Sequence, residues 1–176
     1  IKGLVVQGLQ GCDRYREERC MISAYDATTG KQVWRFFTIA HTGEPGGDTW
    51  GTLPDMMRQG GETWIVGSYD PDLDLTYWGI AQAKPWMPAS RGTSIKDAAL
   101  YSASTVALRG ADGTLAWHYQ HIPSETLDHD EVFDAPGRAD HDEGVTGLEP
   151  LLGSGRRDRI VAAHQRHDRD AGAGAG

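Results

Sequence analysis

Two eleven-residue stretches, "AYDATTGKQVW" at 24–34 and "ALRGADGTLAW" at 107–117, carry alanine, glycine and tryptophan at the same three offsets, with about eighty residues between them. A segment written twice is the strongest constraint on what this chain can fold into, because repetition at a fixed period implies repeated supersecondary units. Each copy opens on an apolar, strand-like run ("CMISAYD", "ASTVALR"), passes a turn ("TTGK", "ADGT") and returns through "QVWRFFTI" or "LAWHYQHI". Glycine in each turn supplies the positive φ that a tight hairpin requires. Midway lies a third hairpin, "TWIVGSYDPDLDLTYWG", with Pro71 and Asp72 at its turn between runs rich in Trp, Tyr, Ile, Val and Thr.

The hairpins recur roughly every 40 residues, the period of a four-stranded propeller blade. No sustained helical periodicity intervenes, although "DAALYSAS" can form one short helical turn. The expected class is therefore all-β, about two to three blades of four-stranded antiparallel sheet, with a plain antiparallel sandwich as the alternative.

Composition narrows the function classes. A hydrophobic fraction of 39% with 9% aromatics is that of a globular chain. With 17 Lys+Arg against 25 Asp+Glu, the net charge of -8 lacks the basic footprint of a nucleic-acid binder. No apolar run approaches the roughly 18 residues that span a bilayer. The opening "IKGLVVQG" has neither an initiator Met nor a signal-peptide pattern, so a removed leader or an internal fragment is expected. Cys12 and Cys20, eight apart across a polar loop, can close one bridge or stay free.

After Phe133 the composition shifts: aromatics vanish, Gly, Ala, Asp and Arg dominate, and the chain ends in a Gly-Ala alternation. Residues 1–134 are accordingly expected to form the partial propeller, and 135–176 a low-complexity tail, disordered or a non-native continuation such as a fragment end or shifted frame.

The succession "AYDATTGKQVWRF", "GGDTWG", "GGETWIVGSYDP", "LTYWGIAQAKPW" and "LAWHYQHIPSETLDHDEVFD" resembles the pyrroloquinoline-quinone (PQQ)-dependent alcohol dehydrogenases, the methanol and ethanol dehydrogenase type of quinoprotein. Five motifs fall in the family's order between Ile1 and about Asp134. The resemblance implies part of an eight-bladed propeller in which Trp34 and Trp117 wedge one blade against the next. It implies hydride transfer from an alcohol, polyol or sugar to PQQ, and a cytochrome c or membrane quinone as electron acceptor. It also implies a periplasmic location, with which a Cys12–Cys20 bridge would agree.

The same resemblance assigns roles. Trp64, ahead of the Tyr-Asp-Pro turn, matches the indole on which the planar quinone stacks. Gly11 and Cys12 match a loop whose backbone amides meet a cofactor carboxylate. A hard cation, calcium or a lanthanide, takes oxygen ligands. Asp13 stands where the family has Glu, Gln82 stands where it has Asn, and Asp128 matches the general base, which also lies at the metal. Asp130 matches the additional carboxylate of lanthanide-using members, compensating the larger ionic charge. Read as residues alone, Trp64 is a strand tryptophan between blades, Asp13 a solvated carboxylate beside Arg14 and Arg16, Gln82 a loop hydrogen-bonder, and Asp130 an acidic loop tip.

Other clusters offer less. His118, His121 and His129 match no standard zinc spacing. "DPDLD" lacks the Gly and terminal Glu of an EF-hand loop and reads as a hairpin turn. "GEPGGDTWG" lacks the Lys-Ser/Thr of a phosphate loop and reads as a flexible approach to the cofactor cavity. A non-catalytic envelope scaffold also uses docking tryptophans, but it has no need of Trp64, Asp13, Gln82 and Asp128 together.

Overall fold

The computed structural model describes residues 1–12 and 19–129. The expectation for 135–176 and those for Asp13 and Asp130 fall outside the described residues.

Two antiparallel sheets carry the fold. The first has the order β1 (Leu4–Gln7), β2 (Met21–Asp26), β3 (Gln32–Phe37). A two-stranded ladder joins β4 (Gln59–Gly60) to β7 (Ala83–Lys84). The second sheet is four-stranded, in the order β5 (Ser68–Asp70), β6 (Leu75–Ile80), β8 (Ser104–Arg109), β9 (Leu115–Gln120). The midway hairpin forms as expected, with Asp70 Oδ1 accepting from the amides of Asp72 and Leu73 across the turn. It does not make a blade of its own, because β6 pairs with β8 from Leu75↔Arg109 to Ile80↔Ser104. The repeated hairpin closes one sheet each time, β2–β3 the first and β8–β9 the second, and its copies lie about eighty residues apart, roughly twice the period read from the three hairpins.

The repeated offsets now have physical causes. Ala24 lies directly opposite Trp34, and Ala107 opposite Trp117, so a small residue leaves room for an indole on the neighbouring strand. A register shift follows at the same place in both hairpins, between Ala24 and Tyr25 and between Ala107 and Leu108. Both turns close alike: Gly30 (φ 69) donates to Asp26 O and Gly113 (φ 72) to Arg109 O.

One copy docks on the other. Trp34 Nε1 donates to Gly110 O at 3.1 Å, and its ring covers Gly113 so closely that a Cβ there would lie 2.4 Å from a ring carbon. Trp34 (7% exposed) shares the main core with Ile22 and Ala24 of its own sheet and with Trp78, Ile80, Val106 and Leu108 of the second. β6 alternates, burying Thr76, Trp78 and Ile80, whereas β8 is buried on both faces from Ser104 to Leu108. Trp117 is half-buried against Tyr77 of its own sheet.

A second core gathers Ile39, Trp50, Leu53, Ala83 and Ala99. Trp50 belongs to "GEPGGDTWG", and its fully buried indole donates to Leu100 O at 2.6 Å. Buried Arg58 fastens the same loop through Leu53 O, Ala40 O and Gly47 O. That segment is therefore anchored to the core through Gly47 and Trp50, while residues 43–45, Asp48 and Gly51 remain exposed. The short helix differs from expectation. It is α1 (Pro88–Arg91), opened by proline and closed by Gly92 at φ 78, while residues 97–99 have no regular structure and 100–103 form a turn.

Candidate active site

Three backbone segments that are distant in sequence lie side by side. Thr63 N donates to Leu9 O at 2.9 Å and Gly60 N to Cys12 O at 3.0 Å, which joins Leu9–Cys12 to Gly60–Thr63. On the other side, Gly61 N donates to Gln82 O at 3.1 Å and Ala81 N to Glu62 O at 2.9 Å. The approach is tight: a Cβ on Gly60 (φ 92) would sit 2.5 Å from Gln82 O, so only glycine fits. The motif "GGETW" is thereby explained as the middle rail of a three-segment stack.

Each rail presents an expected site residue. On the first, Cys12 is bonded to Cys20, with Cα atoms 5.5 Å apart. On the middle rail, Trp64 lies outside any strand and is 39% exposed. With Val6, Leu9, Ile65, Val66 and Trp78 it lines a recess of about 300 Å³. Gln7, Gln10 and Thr63 add polar groups to the same recess, and an accessible indole at its border suits a flat aromatic ligand that also carries polar substituents. On the third rail, Gln82 is 1% exposed and donates through Nε2 to Asp128 Oδ1, whose residue comes from the loop after β9. The structure thus brings Gln82 and Asp128 into direct contact although 46 positions separate them. Asp128 is exposed and holds φ 58, a left-handed conformation that aspartate tolerates better than most residues.

The donor set fits a hard cation. Gln82 Oε1 is buried and has no hydrogen-bond partner among the described residues, a costly state for a carbonyl oxygen. Turning the carboxamide over would set that oxygen against the Asp128 carboxylate, and two facing oxygens need a cation or a proton between them. Among the described residues no three His, Cys, Asp or Glu side chains converge as a metal site. His118 packs edge-on to Tyr101, and His121 shares a hydrogen bond with Thr105.

Sequence reading missed three charged residues that organise this region. Glu62 is buried, and its Oε1 accepts from Gly11 N at 2.7 Å and Cys12 N at 3.3 Å. The two amides expected to meet a cofactor carboxylate are therefore held by a carboxylate of the chain itself. Arg91 (2% exposed) donates through Nη1 to Pro85 O and Trp86 O, both at 2.7 Å, in the loop following Gln82, and burial pushes its pKa down. Glu125 (3% exposed) accepts through Oε1 from Leu127 N, next to Asp128. A charged residue in a polar loop normally reads as solvated, and the only hints were the glycine pair before Glu62 and the capped "PASRG" around Arg91.

The antiparallel sheets, with Trp34 docked on the turn of the repeated hairpin, are those of a β-propeller. The chain belongs to the family of the PQQ glucose/ethanol/alcohol dehydrogenase β-propeller domain, whose model matches residues 1–139. It is 37% identical over 140 residues to quinohemoprotein alcohol dehydrogenase ADH IIB of Pseudomonas putida, covering 73% of this chain and 20% of that protein. The dehydrogenase subunit of the quinone alcohol dehydrogenase of Acetobacter aceti is 34% identical over 146 residues, covering 74% and 19%. Among solved structures, quinohemoprotein alcohol dehydrogenase from Comamonas testosteroni superposes with a TM-score of 0.66 at 31% identity, covering 76% of this chain and 21% of that one. A europium-containing methanol dehydrogenase superposes at 0.62 with 28% identity, covering 75% and 25%. The chain spans about a fifth of the length of the curated relatives it matches.

Proposed function

We propose that these residues form the cofactor-floor and metal-loop portion of a dehydrogenase that oxidises an alcohol, polyol or sugar with PQQ and a hard cation. The observation that carries the reading is the Gln82–Asp128 contact together with the unpartnered, buried Gln82 Oε1. Trp64 would support the flat face of the quinone, and Gln82, Asp128 and Asp13 would hold the ion, calcium or a lanthanide. When bound, PQQ supplies the hydride acceptor and the ion polarises it. This chain's own contribution is proton handling: Asp128, exposed and at the site edge, accepts the alcohol proton at a carboxylate oxygen as hydride departs from carbon. The europium-containing relative and the acidic Asp130 favour a lanthanide. Relatives named as quinohemoproteins, and a cytochrome c-linked lupanine hydroxylase from a Pseudomonas species, favour a cytochrome or quinone acceptor, and the Cys12–Cys20 bridge suits an oxidising compartment such as the periplasm.

The test is Asp128→Asn in the full-length protein reconstituted with PQQ and Ca²⁺ or La³⁺. Asparagine keeps the size and one oxygen but cannot take the substrate proton, so dye-linked turnover should disappear while PQQ absorbance and the melting temperature persist. Full turnover of that variant would remove the assignment.

A further inference from the structure

Arg91 and Glu125 are both almost fully buried, and each has unused hydrogen-bonding capacity. Arg91 Nε and Nη2 and Glu125 Oε2 have no partner among the described residues. The loop bearing Glu125 leans on the segment just after Arg91, since Ser124 Oγ donates to Ser94 O at 3.0 Å. The Glu125 charge acts on Arg91, favouring the charged guanidinium against its burial. Such groups are not tolerated in a core without a reason, because a lone buried charge is costly.

Each is tied to one half of the candidate site. Arg91 Nη1 grips the carbonyls of Pro85 and Trp86, at 2.7 Å each, and of Ala83 at 3.4 Å, so it fixes the loop on which Gln82 rides. Glu125 Oε1 holds the amide of Leu127 and so sets the turn that presents Asp128. The two site residues meet at the Gln82–Asp128 contact, and the two charged residues sit behind their respective loops.

We propose that Arg91 and Glu125 act as a buried positioning pair that sets the spacing of Gln82 and Asp128, and thereby the affinity of the site for a hard cation neither of them touches. A guanidinium locked to three carbonyls is a rigid brace, and a carboxylate locked to a turn amide is its counterpart on the facing loop. A ligand pair held from behind loses affinity when the brace is cut, as supporting residues around metal ligands generally do, by roughly 10–100-fold. The inference rests on the reading of Gln82 and Asp128 as cation ligands.

The experiment is Tb³⁺ binding by the full-length protein with PQQ present, measured by equilibrium dialysis at 20 °C beside the melting temperature of each variant. Glu125→Gln is isosteric but replaces the charged acceptor of Leu127 N by a neutral amide and removes the charge that acts on Arg91, so it loosens the turn without emptying the site. It should weaken Tb³⁺ binding by about tenfold or more. Arg91→Met should do the same, and the double variant should bind no more weakly than the worse single variant, because the two loops lean on each other through the Ser124–Ser94 hydrogen bond and freeing either one already releases the spacing. If Arg91→Met fails to fold, Glu125→Gln alone decides. Unchanged Tb³⁺ affinity with a lowered melting temperature would make the pair purely structural and overturn the proposal, as would multiplicative losses in the double variant. Gln82→Leu separates the two levels. If it binds Tb³⁺ like the unaltered protein, the cation-ligand reading itself fails, whereas a loss there with normal Glu125→Gln sinks only the positioning pair.

Discussion

Replacing Gly113 with alanine tests whether the repeated tryptophan docks one sheet on the next. Two costs combine there. A non-glycine residue at φ 72 is strained by about 1 kcal/mol. In addition, a Cβ would lie 2.4 Å from the Trp34 ring, well inside contact distance, so the indole must shift within a filled core, at roughly 1–3 kcal/mol. The structure supplies its own control: Gly30 holds nearly the same φ, 69, in the equivalent turn, with nothing within 4 Å of its absent Cβ. Gly30→Ala should therefore cost about 1 kcal/mol and Gly113→Ala about 2–4 kcal/mol. Trp34→Ala removes a nearly buried indole and strands the Gly110 carbonyl, which should cost about 3–5 kcal/mol. In that background Gly113→Ala loses its steric part, so the double variant should be less destabilised than the sum by about 1–3 kcal/mol. Urea denaturation of the full-length protein, followed by far-ultraviolet circular dichroism, measures all four. If Gly113→Ala and Gly30→Ala agree within about 0.5 kcal/mol, the docking argument is wrong.

Three further outcomes are expected. Cys12→Ser with Cys20→Ser should lower stability by about 2 kcal/mol through the freed short loop, seen as a lower urea midpoint; an unchanged midpoint would show that the bridge constrains nothing. The Arg19 guanidinium, bonded to Glu44, holds the Glu44 pKa below the ordinary carboxylate range. Its contribution is complete above that range and is lost as pH falls through the depressed folded value, so Glu44→Gln should flatten the stability profile between about pH 5 and 3; an identical acid limb would contradict this. Asp130→Ala should weaken lanthanide-supported turnover far more than calcium-supported turnover, and equal small losses would make Asp130 an ordinary surface acid.

What could be read from the sequence was local. The hairpins, their glycine turns and the alanine–tryptophan spacing are each set by residues close in sequence. The size of the blade was not legible, because it depends on β6 pairing with β8 across the long connection from Ile80 to Ser104. Two-residue strands such as β4 and β7 are too short to show any period. Trp64, Gln82 and Asp128 could be nominated from motif resemblance, yet the brace behind them could not. Glu62, Arg91 and Glu125 look like loop charges, and only their partners, backbone amides and carbonyls, reveal that they are interior.

The topology explains why the candidate residues converge at all. In the second sheet the register Ile80↔Ser104↔Gln120 puts the exits of β6 and β9 at one edge, and the pairing Ser68↔Tyr77 puts the entry to β5 at that edge too. Gln82 follows the first exit, Asp128 the second, and Trp64 precedes the entry. In the first sheet β1 leaves at Gln7, opposite Ser23, and runs directly into the Leu9–Cys12 rail that joins Gly60–Thr63. Chain reversal in antiparallel sheets therefore gathers Trp64, Gln82 and Asp128 at one end, whereas the turns at Gly30 and Gly113 close the hairpins at the other. Stability and ligand chemistry should separate accordingly. Gly113→Ala, measured below its melting temperature, should keep the Tb³⁺ affinity of the unaltered protein despite its lost stability, while Glu125→Gln should lose affinity with little change in stability. A Gly113→Ala protein that binds Tb³⁺ tenfold more weakly would show that the docking seam and the site are one cooperative element.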